Sequence, residues 1–245
     1  MALRNFMKRS IEAIKDEGLK VMGQNPLFYW QKEMVMVTAN TQEDINDWVV
    51  GSDKDFGGTS EVKFELTPEG YGKFHGNITT PTASPTTDIN NVHKSQRPKF
   101  GYAGIRTKKN KFTLLGTPAW DTTIFRYLTM RLRGDRRKYF VNIQTDTPIL
   151  TDLWQHRLFL RRPGEWEIVM IPFEDFILTN HGVVQTPQIL MMRERVNTVG
   201  FSVLDRKTGP FSLEIDYIKA MNTEFSEGDY DRIRRPSDEY NFKEP

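Results

Sequence analysis

The chain has 245 residues, 38% of them hydrophobic and 12% aromatic, enough for one large core with extensions. Charged residues make up 27% and the formal net charge is only +2, which argues against bulk electrostatic binding to nucleic acid or anionic lipid and leaves room for a local basic patch. There is no cysteine, so disulfides, thiolate catalysis and cysteine metal sites are excluded.

Met7, Ile11 and Ile14, with Leu3 and Val21 near the same face, recur at helical spacing and predict an amphipathic helix over 3–22 that ends near Gly23. Such a helix either docks on its own domain or packs on a partner. It has no secretory apolar region, and Glu12, Asp16 and Glu17 are unusual for an intact organellar presequence, as in a chain whose address has been trimmed. No window approaches the roughly 18–20 apolar residues that span a bilayer, so the expectation is a soluble or membrane-peripheral protein without a transmembrane segment.

From residue 60 the period changes. EVKFEL, YGKFHGNI and FGYAGIRT are short β-prone runs separated by Pro, Gly, Thr and Asn, the rhythm of an antiparallel sandwich. Between them, the Pro/Thr/Ser-rich segment 79–98 has little to bury and predicts a long exposed loop. Past it, TTIFRYLTMRLRG, RKYFVNIQT, HRLFLRR, EWEIVMIPF, VNTVGFSVLD and FSLEIDYIKA continue the strands. The segment 223–245 carries four basic and seven acidic residues and reads as a solvated acidic tail. The expected organisation is a helical extension over 1–41, an all-β sandwich over 42–222 and the tail over 223–245.

The run RLRGDRRKYFVNIQT contains Arg133-Gly134-Asp135, a tripeptide known as an adhesion signal. Leu128, Met130 and Leu132 alternate with Thr129, Arg131 and Arg133, and Tyr139, Val141 and Ile143 alternate with Phe140, Asn142 and Gln144. Two period-2 runs joined by Gly and Asp predict a β-hairpin turning at Gly134, with its arginines in solvent. Adhesion is disfavoured, because a three-residue match arises easily by chance. Arg131, Arg133, Arg136, Arg137 and Lys138 nevertheless form a local positive patch suited to an acidic partner surface or a phosphate.

His75, His93, His156 and His181 are scattered, with no metal-ligand spacing, and no nucleophile elbow, phosphate loop or dinucleotide fingerprint is present. No metal, cofactor or catalytic residue is expected. Glu165 and Glu167 read as solvated neighbours and not as an acid–base pair, and the sequon at Asn77 has meaning only in a compartment that glycosylates. What remains is surface. Trp154, His156, Arg157, Phe159, Arg161 and Arg162 follow a Pro-containing loop with the composition of a protein-binding hot spot, or else of a core tryptophan plus a solvated strand face. Trp120 is a second exposed candidate in a loop.

WVVGSDKDFGGTSEVKFEL, GYAGIRT, LRGDRRKYFVNIQT, EWEIVMIPFEDF and VNTVGFSVLDRKTGPFSLEIDYIKA, in that order from Asp47 to Ala220, resemble the complex I intermediate-associated protein family, assembly factors of mitochondrial NADH:ubiquinone oxidoreductase. The resemblance implies a galactose-binding-like jelly-roll β-sandwich. It also implies a non-enzymatic matrix protein, peripheral to the inner membrane, that holds an early membrane-arm intermediate beside other assembly factors; it carries over no catalytic residue. In the matching stretches Trp48, Trp166 and Phe211 read as scaffold aromatics, Pro172-Phe173 as a strand end, and Gly101, Gly104 and Gly200 as sites of close strand packing or bulges. Carbohydrate binding through loop tryptophans and RNA binding through the Arg131–Lys138 patch are the alternatives, with nucleic acid the less favoured partner.

Overall fold

The computed structural model describes residues 2–21, 31–80, 101–110, 113–114, 117–149, 151–204 and 206–223. The expected helix end at Gly23, all but the first residues of the 79–98 loop, and the tail beyond Thr223 lie outside them.

The alternation read from the sequence becomes two antiparallel sheets packed face to face. One sheet orders its strands β3 (Glu61–Leu66), β4 (Gly72–Ile78), β13 (Gly209–Met221), β6 (Tyr127–Gly134) and β9 (Trp166–Pro172), with β1 (Glu33–Thr38) also paired to β13. The other runs β11 (Val183–Val184), β10 (Ile177–Asn180), β8 (Asp152–Leu158), β7 (Tyr139–Thr145), β12 (Val196–Val203), β5 (Ala103–Thr107) and β2 (Trp48–Ser52). This is the expected all-β, jelly-roll type of sandwich. Within the 1–41 expected as a helical extension, β1 pairs with β13 and so adds to the first sheet. The extension is α1 (Ala2–Val21), and the sandwich already includes Glu33.

Inward stripes from both sheets make the core. Leu128, Met130 and Leu132 of β6 face Tyr139, Val141 and Ile143 of β7 from the opposite sheet, and all six are 0% exposed. The expected hairpin is therefore corrected: β6 pairs with β13 and β9, whereas β7 pairs with β12 and β8. Alternation fixes which face of a strand is buried but not which strand pairs with it. The connecting residues 135–138 cross between the sheets, and Asp135 makes the corner. Its carboxylate accepts from Arg137 N (2.8 Å), Tyr139 Oη (3.0 Å) and Ser212 N (2.8 Å), tying β6, β7 and β13 together. Gly134 is needed for space, since a Cβ there would lie 2.5 Å from Leu160 Cδ1 and 2.8 Å from Leu213 Cδ1.

Long β13 shows how one extra residue shifts a strand. Phe211, Leu213 and Ile215 point inward, but beyond them it is Ile218 and Ala220 that are buried. The register against β6 slips between Ile215 and Tyr217, leaving Asp216 as a bulge. Before the bulge one edge of β13 pairs with β4, and after it the same edge pairs with β1. Between β1 and β2 a short helix, α2 (Gln42–Asn46), opens with a capping box made by Thr41 and Asp44.

Candidate partner-binding surface

The bulge sets up the outer face of the six-stranded sheet. Asp216 Oδ2 receives Arg131 Nη1 at 2.5 Å, and its Oδ1 receives Asn40 Nδ2 at 2.8 Å. One register step along, Arg133 donates to Glu214 (2.6 Å) and Glu69 (2.9 Å). The Arg131 and Arg133 guanidiniums lie 4.6 and 5.0 Å from the centre of the Trp166 ring, which itself leans on Tyr71 at 4.6 Å. The hydrogen bond to Asp216 holds Arg131 above its ordinary pKa; for Arg133, burial pulls down but Glu214 and Glu69 outweigh it.

The expectation of free, solvent-pointing arginines is thus corrected for Arg131 and Arg133, which are half-buried and neutralised by acids of β13 and the β3–β4 turn. Trp166 belongs to this outer cluster and not to the core, because Val169 and Ile171 take the inward positions of β9. Arg137 is committed as well, donating to the carbonyls of Lys207 (2.7 Å), Pro210 (2.9 Å) and Gly209. Of the basic run, Arg136 and Lys138 are left exposed, Arg136 beside a shallow cleft of about 400 Å³ that also touches Arg133, Gly134 and Gly164.

The second candidate cluster divides by strand parity. Trp154 is 3% exposed and part of the core, the second of the two readings open in the sequence; in β8 the residues 152, 154, 156 and 158 turn inward. His156 packs against Phe176 with ring centres 5.7 Å apart. Arg157 is exposed and lies 4.7 Å over Phe159. Arg161 is exposed, and its backbone N–H donates to Glu167 at 3.0 Å. Trp120, expected in the open, is half-buried against the core and bridges Val196 backbone to backbone at 2.9 and 3.0 Å. Trp48, Phe173 and Phe211 are core, Gly101 is buried, and Pro172 closes β9. The structure does not gather the candidates into one site.

Across the outer face of the seven-stranded sheet the polar side chains satisfy one another. Asn142 donates to Ser202 (3.0 Å), Gln155 to Asn142 (2.7 Å) and Thr179 to Gln155 (2.8 Å). Among the described residues no cluster of three or more His, Cys, Asp or Glu is placed to hold a metal, and no helix is long and apolar enough to cross a membrane.

Exposed apolar groups went unnoticed in the sequence. Between β11 and β12, Gln188 binds both the N–H (2.7 Å) and the C=O (3.0 Å) of Leu178, occupying a stretch of β10 edge, while Met191 packs on the core. The loop so pinned holds out Ile189 (55% exposed) and Leu190 (95%). The signal was ILMM inside a loop with no strand alternation. Arg193 was missed too; it donates to the carbonyls of Thr122 (2.7 Å) and Phe125 and lies 4.9 Å over Phe173, stapling that loop to the sheet.

The two antiparallel sheets make a β-sandwich of jelly-roll type. Residues 37–215 match the family described as complex I intermediate-associated protein 30 (CIA30), and the chain belongs to that family. It is 36% identical over 205 residues to the mitochondrial complex I intermediate-associated protein 30 of Neurospora crassa, covering 74% of this chain and 71% of that one. The proteins of the same name from Drosophila melanogaster and Mus musculus are 36% and 29% identical, over 71% and 72% of this chain. The chain spans only 58% and 52% of those two relatives. In structure it resembles the family 11 carbohydrate-binding module of Clostridium thermocellum solved with a β-1,3-1,4-mixed-linked tetrasaccharide, with a TM-score of 0.51, 14% identity, and coverage of 78% of this chain and 96% of that one. At that identity the likeness shows the fold.

Proposed function

We propose that the protein is a non-enzymatic assembly factor that binds and shields an early membrane-arm intermediate of mitochondrial complex I, in the matrix and peripheral to the inner membrane. The observation that carries this reading is the family match, which spans 37–215 and therefore nearly the whole sandwich. The geometry supports it by supplying apolar surface where a partner can reach it. Leu3, Met7, Ile11 and Ile14 make an exposed stripe along α1, and Ile189 and Leu190 project from the pinned loop. Exposed apolar groups of this kind suit the apolar faces of a membrane subunit that still lacks its neighbours. Arg136, Lys138 and Arg157 are the exposed cations that orient such an encounter; orientation needs few charges, and a releasable holder needs only moderate affinity. Removing the protein from its own cells should lower assembled complex I and leave membrane-arm intermediates behind, whereas unchanged complex I levels would contradict the reading.

A further inference from the structure

The amphipathic helix α1 sits the opposite way round from a helix that buries its apolar face. Its apolar residues Leu3, Met7, Ile11 and Ile14 are 75%, 52%, 50% and 46% exposed, while Ser10 is 3% exposed and its Oγ accepts from Leu114 N at 3.0 Å. Docked on the side that carries Ser10 and the half-buried Phe6, α1 brings Arg9 to a cleft of about 500 Å³ shared with Trp48, Asp47, Lys108, Lys109 and Trp120.

Two donors of that lining are buried without an acceptor: Arg9 Nε and Trp48 Nε1. A buried donor left unpaired is costly, and both groups donate only. The nearby acceptors do not answer them. Asp44, also on the lining, is taken up by Thr38 Oγ1 (3.1 Å), Asn40 N (3.0 Å) and Thr41 N (3.1 Å), and Asp47 is exposed. Lys108 Nζ donates to Asn46 O at 2.5 Å, which fixes one positive charge on the wall, and Lys109 adds a second, exposed one. The opposite character comes from Trp48, Trp120 and Met36, which give the cleft apolar and aromatic wall.

We propose that this cleft is a binding site for a small organic anion, a carboxylate or phosphate carried on a flat apolar body. The oxyanion takes up the Arg9 and Trp48 N–H groups and the lysine charge, and the body lies along the tryptophans. Such a ligand ties α1 to the sandwich, because Arg9 belongs to the helix and the other groups belong to the domain. The site is independent of the assembly role, and either reading can fail alone.

Calorimetric titration of the full chain with benzoate, phenyl phosphate and the neutral control benzyl alcohol tests it. At least one anion should bind with a Kd below roughly 1 mM, with benzyl alcohol much weaker. Arg9→Leu and Trp48→Phe, which keeps an aromatic ring in the core, should each weaken that anion about tenfold or more, the worth of a lost hydrogen bond to a charged group. Lys109→Ala, an exposed substitution that leaves folding intact, should weaken it several-fold. No saturable heat from either anion up to about 10 mM, equal affinity for benzyl alcohol, or unchanged binding in Arg9→Leu and Lys109→Ala would overturn the proposal.

Discussion

Asp135 shows what the adhesion-like tripeptide does in this protein. Its carboxylate closes the corner between the sheets and faces Tyr139, whose phenol is pushed well above its ordinary pKa by burial and then by Asp135 itself. The phenol donates to Asp135 at 3.0 Å. Asp135→Ala strands the Tyr139 O–H, while Ser212 N–H keeps only Tyr139 Oη at 3.0 Å, and should cost about 1–3 kcal/mol, read as a lower Tm. Trp154→Ala should cost about 3–5 kcal/mol because it empties a core position. Arg136→Glu and Lys138→Glu should change stability by no more than about 0.5 kcal/mol, so a stability loss in that pair would put those side chains somewhere other than open solvent. Asp44 adds a pH dependence. Burial pushes its carboxyl up, but hydrogen bonds from Asn40, Thr38 and Thr41 outweigh this and hold it below the ordinary range. A lowered folded pKa contributes stability above the unfolded value and loses it as pH falls. Thr41→Ala should thus cost about 1 kcal/mol at pH 7, and the gap from the unaltered protein should narrow below about pH 4 without closing, because Thr41 Oγ1 also accepts from the Asp44 backbone N–H, which does not titrate.

At the scale of elements, the strands were legible because period-2 alternation is a local signal. The hairpin was misread because partner choice is not local: Gly134-Asp135 serves an inter-sheet corner as well as it would a turn. The β13 bulge is written in FSLEIDYIKA, where the apolar positions change parity after Ile215. Trp154 lies in the core and Trp166 on the outer face for the same reason. Composition marks a tryptophan as valuable, and only strand parity with the partner sheet says which face it takes. Gly200 illustrates an element-level constraint that was correctly legible. A Cβ there would lie 2.2 Å from Ile105 O and 2.8 Å from Arg106 Cα across the β12–β5 pair. Gly200→Ala must push those backbones apart and should destabilise by about 1–3 kcal/mol in denaturant titration; a neutral result would mean β5 yields freely.

For the molecule as a whole, the basic patch that suggested RNA is largely cancelled by Asp216, Glu214 and Glu69, acids from distant parts of the chain. RNA binding, where it occurs, should be weak and lost with salt. On the outer face of the seven-stranded sheet Asn142, Ser202, Gln155 and Thr179 already hydrogen-bond one another, and a mixed-linkage glucan oligosaccharide should leave the Tm unchanged. The exposed apolar groups have the opposite signature. Leu190→Ser should leave stability within about 0.5 kcal/mol of the unaltered protein while weakening its association with its assembly partner. The most direct test of the central claim is gentle affinity purification of the protein from its own mitochondria, followed by native gel separation and mass spectrometry. The account predicts co-migration with membrane-arm subunits of complex I and not with the finished enzyme. Migration alone, or only with the finished enzyme, would contradict it.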